Sequence, residues 1–138
     1  MRVVLAVDPG RAKCGVAAVR EDGVVLHKEI VGSGEVEARV GALIERFAPA
    51  AVVLGNRTGA RELRRRLEQL PSVGRLGGIE LVEEAHTSEL ARRRYFQAHP
   101  PRGLWRLVPI GMRTPPEPVD DWTAVILAER FLREKFQE

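Results

Sequence analysis

Cysteine occurs once in this 138-residue chain, at Cys14, which excludes an internal disulfide and a thiolate metal cluster. No base stands near it in the sequence, so a small buried strand residue is expected there rather than a nucleophile. No apolar run approaches the ~20 residues needed to cross a bilayer. The opening MRVVLAVDPG ends its apolar stretch at Asp8 with no small-residue cleavage site after it, so a cytoplasmic protein without a secretory signal is expected. Lysine is nearly missing: Lys13, Lys28 and Lys135 are the only ones among 22 cationic residues. Arginine forks match phosphate oxygens in bidentate fashion, although a GC-rich genome or heat adaptation explains the same bias. The net charge of +3 and a pI near 9.6 are compatible with a polyanionic partner. Repeats and linkers are absent, and the length suits one domain over residues 1–138, too short for a second lobe.

What is present is a sequence of strand and helix signals. Val3 to Val7 is an apolar, β-branched run stopped by Pro9-Gly10, which predicts a buried strand and a tight turn. Cys14 to Val19 and Val24 to Val31 read as two more strands joined at Glu21-Asp22-Gly23, so the chain opens with an antiparallel meander. Val36, Val40, Leu43, Ile44 and Phe47 recur at helical spacing, predicting a helix from about Glu35 to Phe47 that Pro49 ends. Ala51 to Leu54 predicts a strand buried on both faces, followed by a helix with Leu63, Leu67 and Leu70 on one side. Ile79 to Val82 predicts a fifth strand, and Thr87 or Ser88 can cap a helix running to about Ala98. Residues 99–118 have no clear period, and a last helix starts near Asp120 with Trp122, Val125, Ile126 and Leu132 buried. The order β-β-β-α-β-α-β-α-α predicts an α/β protein of the RNase H-like fold. Its mixed sheet would have three antiparallel strands, then two parallel ones, flanked by helices.

Three acids fall where this order brings chain ends together. Asp8 stops the first strand, Glu84 follows the fifth, and Asp120 opens the last helix. Ligands collect outside the carboxyl ends of parallel strands in open α/β sheets. Clustered carboxylates repel unless a cation neutralises them, so Asp8, Glu84 and Asp120 together predict a hard metal, Mg²⁺ or Mn²⁺, in a two-metal site for phosphodiester chemistry. Each acid has a plainer reading. Asp8 is a turn former before Pro-Gly, Glu83-Glu84 is surface charge, and Asp120 is a helix N-cap.

The stretch Val4-Leu-Ala-Val-Asp8-Pro-Gly-Arg-Ala-Lys-Cys-Gly15-Val-Ala17 resembles the opening motif of the YqgF/RuvX family, RuvC-like Holliday-junction resolvases also linked to 5′-end processing of pre-16S ribosomal RNA. Glu80-Leu-Val-Glu-Glu84-Ala-His-Thr87-Ser88 is similar to the family's second motif, and Val119-Asp120-Asp121-Trp-Thr-Ala124-Val-Ile-Leu127 to its third. Ala51-Val-Val-Leu-Gly55 fits the family's fourth strand. The resemblance implies a metal-dependent endonuclease with Asp8, Glu84 and Asp120 as catalytic metal ligands and Asp121 as a neighbouring one. Its partners would be branched DNA or precursor ribosomal RNA, and symmetric cleavage of a four-way junction would call for a homodimer. The sequence departs from the family at Ala85, where Arg is usual, at Ser88, in Gly10-Arg11-Ala12-Lys13, and in the loop after Gly55. Those departures motivate the alternative of a nucleic-acid-binding or assembly module that keeps the fold without the chemistry. A phosphotransferase of the sugar-kinase type shares an Asp-x-Gly turn but needs two such lobes.

For nucleic-acid contact, Arg11 and Lys13 flank Asp8 and Arg57 follows the fourth strand. Arg102, Arg106 and Arg113 could track a strand with Trp105 as a stacking platform, equally well balanced against Trp105 packing on the core. The triplets Arg64-Arg65-Arg66 and Arg92-Arg93-Arg94 spread around their helices and read as solvated faces.

Overall fold

The computed structural model describes residues 1–56, 59–76, 78–82 and 120–136, with residues 120, 121, 135 and 136 described by backbone alone. Its strands are β1 (Val3–Asp8), β2 (Lys13–Arg20), β3 (Val25–Gly32), β4 (Ala51–Gly55) and β5 (Ile79–Val82). The helices are α1 (Val36–Phe47), α2 (Ala60–Glu68), a short α3 (Pro71–Arg75) and α4 (Asp120–Phe136). They build one five-stranded sheet in the order β3-β2-β1-β4-β5. β1, β2 and β3 pair antiparallel, whereas β4 lies parallel to β1 and β5 parallel to β4.

Strand alternation sorts the side chains into two cores. Leu5, Val7, Cys14, Val16, Val52 and Leu54 face α1, α2 and α3, where Val40, Leu43, Leu63, Leu67 and Val73 meet them. Val4, Ala6, Ala17, Val19, Val53 and Val82 face α4, where they meet Ala124, Val125, Leu127, Ala128 and Phe131. Cys14, 1% exposed, is a buried strand residue as expected. No helix among the described residues is long and apolar enough to cross a membrane.

Several element ends differ from the sequence reading, each for a local reason. β1 runs one residue further because Asp8 pairs with Gly15 before Pro9, which has no N–H, ends the ladder. Val24 lies in the turn rather than in β3: its carbonyl accepts from the Arg20 N–H at 2.9 Å, and its own N–H donates to Asp22 Oδ1 at 3.2 Å. α1 ends at Phe47 as expected, where Ala48 adopts φ 46° and closes the helix with its N–H on the Ile44 carbonyl at 2.9 Å. Leu70 does not share the helix of Leu63 and Leu67. Preceding Pro71, it is extended at ψ 129° and starts α3, an element the sequence reading did not contain. Trp122 is half-buried at the rim of the α4 core, with the Lys28 ammonium 4.7 Å from its ring centre, instead of buried within it. The helix expected near Thr87–Ala98 and the segment 99–118 lie outside the described residues.

Candidate metal centre

The β1–β2 connection is short because Gly10 permits it. A Cβ there would run into the Lys13 carbonyl oxygen, so only glycine allows the turn that brings β2 back beside Asp8. Asp8 is 4% exposed and shares strand parity with Val4 and Ala6, which places it on the α4 face. Its Oδ1 is fully buried and receives no hydrogen bond among the described residues, while the carboxylate does make other contacts.

The register supplies the surroundings. Gly15 of β2 pairs with Asp8, Ile30 of β3 pairs with Gly15, and Gly55 of β4 follows Leu54, the partner of Val7, so that it comes level with Asp8. Val82 of β5 pairs with Gly55. At the carboxyl ends of the parallel strands, therefore, one row reads Ile30, Gly15, Asp8, Gly55, Val82. It contains one carboxylate and neither sulfur nor imidazole, a donor chemistry that suits a hard cation such as Mg²⁺ or Mn²⁺ and not a soft one.

The remaining predicted ligands are placed less completely. Asp120 and Asp121 are the first two residues of α4, the helix packed on the Asp8 face. Their side chains, with Glu84 and Glu83, lie outside the described residues, as do Arg57, Arg102, Trp105, Arg106 and Arg113. Among the described residues no group of three metal-ligating side chains assembles.

The two cations expected beside Asp8 separate. Lys13 is exposed and has the parity of Gly15 and Ala17, putting it on the Asp8 face. Arg11 is exposed on the other side, where with Cys14, Ser33, Leu63 and Arg66 it lines a cavity of about 270 Å³. Of the triplet on α2, Arg65 is exposed, while Arg64 and Arg66 are half-buried. Arg64 pairs with Glu68 and Arg65 with Glu62, both at 2.6 Å, while Arg66 reaches the Ser33 carbonyl at 3.1 Å and Glu37. The sequence reading missed the two glycines beside Asp8. The strand alternation carried the signal: Gly15 follows Ala17 and Val19 in parity, and Gly55 follows Val53.

A mixed sheet with three antiparallel strands and two parallel ones, and helices on both faces, defines the RNase H-like fold. The sequence matches no family model and no curated protein. Among solved structures it is similar to Thermus thermophilus RuvC in complex with a Holliday junction substrate, at 18% identity and TM-score 0.62, covering 98% of this chain and 96% of that one. A second structure of Thermus thermophilus RuvC is similar at 19% identity and TM-score 0.59, covering 96% of this chain and 94% of that one.

Proposed function

We propose that the chain is a metal-dependent endonuclease of the YqgF/RuvX type that hydrolyses phosphodiester bonds in structured nucleic acid, either branched DNA or precursor ribosomal RNA. The observation that carries this reading is the buried Asp8 carboxylate at the carboxyl end of the central strand, on the α4 face of a RuvC-like sheet. The similarity to a RuvC structure that holds a Holliday junction supports a nucleic-acid partner.

Glu84 and Asp120 complete the proposed site. Glu84 is preferred over Glu83 by its register in the motif that resembles the family's second one. Asp120 opens the helix on the same face, with Asp121 as a neighbouring ligand. Bound Mg²⁺ or Mn²⁺ supplies the activation of water and the stabilisation of the leaving oxygen. The chain's own groups do the rest. Asp8, Glu84 and Asp120 hold the cations, and Lys13 draws a phosphate to their face. Arg57, Arg102, Arg106 and Arg113 hold flanking phosphates, with Trp105 stacked on a base. On a four-way junction two such chains act as a homodimer.

The purified protein is expected to cut a four-way DNA junction or a ribosomal RNA precursor when Mg²⁺ or Mn²⁺ is added. Asp8→Asn is expected to lower the rate by about 100-fold or more, because metal-borne charge stabilisation amounts to several kcal/mol. Undiminished cutting by that variant would overturn the assignment.

A further inference from the structure

Gly15 and Gly55 stand on either side of Asp8, and nothing in their own backbone demands glycine. Among the described residues the glycines with positive φ are Gly23, Gly59 and Gly78, so these two have ordinary strand conformations. Neither lies at a bulge, since the irregularity of the β2–β3 pairing falls between Ala18 and Val19. Glycine inside a strand loosens it and packs nothing, and it is kept where a bulge, a ligand or another backbone needs the room. With conformation and bulge removed, close approach by a ligand or by another stretch of backbone remains.

The gradient along the α4 face locates that approach. Along β2 the side chains on this face shrink from Val19 through Ala17 to Gly15. On β1 the same rows run Val4, Ala6, Asp8. The floor of the sheet thus falls away on both sides of the one carboxylate in the row. Cβ atoms directly opposite in an antiparallel pair stand about 4.5–5.5 Å apart. A methyl at Gly15 would therefore stand beside the Asp8 side chain, on the side from which a divalent ion, with ligand distances of about 2.1 Å, and a phosphate oxygen would approach it.

Resting on the nuclease reading, we propose that Gly15 and Gly55 are positioning residues that keep clear the seat of the metal-bound phosphodiester, and that their missing side chains set how closely the nucleic-acid backbone approaches Asp8. The competing account is packing. Ala6, Ala17, Ala124 and Ala128 let α4 lie close to the sheet, and glycine could extend that close fit.

The two accounts predict opposite stabilities. In the full chain, metal-free Gly15→Ala and Gly55→Ala are expected to melt at or a few degrees above the wild type. Their affinity for Mn²⁺ alone, measured by calorimetry, is expected to fall by about 10-fold or more. Cutting of a four-way junction is expected to fall by about 100-fold. Gly41→Ala in α1, where a Cβ meets nothing, is the control and should leave metal affinity and cutting unchanged. A metal-free melting point lowered by more than about 5 °C in both glycine variants would assign the glycines to packing and overturn the proposal, as would wild-type Mn²⁺ affinity and cutting. Wild-type protein and Asp8→Asn, titrated in parallel, separate the two levels of failure. If these two bind Mn²⁺ alike, the nuclease reading falls and takes this inference with it. If they differ while the glycine variants match the wild type, only this inference falls.

Discussion

On the face covered by α1, α2 and α3, β1 and β4 present Leu5, Val7, Val52 and Leu54, all at most 1% exposed; on the α4 face the same strands present Val4, Ala6, Asp8, Val53 and Gly55. The first face is filled by large side chains interlocking with three helices. The second steps down from valine through alanine to an acid between glycines. Because successive strand residues point to opposite faces, one stretch of sequence serves both, with residues of the large core interleaved among those of the proposed site. Stability and function can therefore be perturbed separately by changing adjacent residues.

The largest expected effect lies on the filled face. Leu54→Ala removes a fully buried side chain from the larger core and is expected to cost about 2–5 kcal/mol in urea unfolding. A cost well under 1 kcal/mol would mean that this core closes over the gap and is not the rigid layer described. The α4 face should fail in the opposite sense, by excess. Ala17 is fully buried under α4, so Ala17→Leu is expected to cost about 1–3 kcal/mol through overpacking. A leucine accepted there without loss would show that α4 does not sit closely on the sheet, and the size gradient along β2 would lose its meaning.

Much of this division could be read from the sequence, and the reasons are particular. The strand runs and the 3.6-residue spacing of Val36, Val40, Leu43 and Ile44 gave α1 and the five strands along the chain, because local periodicity and burial agree there. Asp8 was marked by its place before Pro9-Gly10. Two things were hidden. α3 was missed because Leu70 continues the apolar spacing of Leu63 and Leu67, and only the constraint from Pro71 turns it out of the helix. The Gly15–Asp8–Gly55 row was missed because it exists only across strands. Gly15 lies seven residues from Asp8 and Gly55 forty beyond that, and no local pattern joins them until the register is known. Ligands proposed from separate elements are hard to read from sequence for the same reason, and motif resemblance had to stand in for geometry at Glu84 and Asp120.

The smallest expected effect belongs to the rim of the filled face, where polar groups tie the edge strand to α1. Arg39 donates to both oxygens of Glu29, at 2.6 and 2.9 Å, and the His27 ring lies 2.7 Å from the same carboxylate. The Arg39 hydrogen bonds, with a smaller share from His27, hold the Glu29 carboxyl below the usual glutamate range despite partial burial. A depressed pKa in the folded state contributes stability that is fully present above the unfolded value of about 4.3 and is lost as pH falls through the folded value. Glu29 is about one-fifth exposed and Arg39 about two-fifths, so solvent screening limits the contribution to roughly 0.5–1 kcal/mol. Glu29→Gln is expected to be less stable than the wild type by that amount at pH 7, with the gap closing as unfolding is followed below pH ~4. A gap that stayed constant down to pH ~2 would show that the amide NH2 set against the Arg39 donors, and not the lost charge, accounts for the difference.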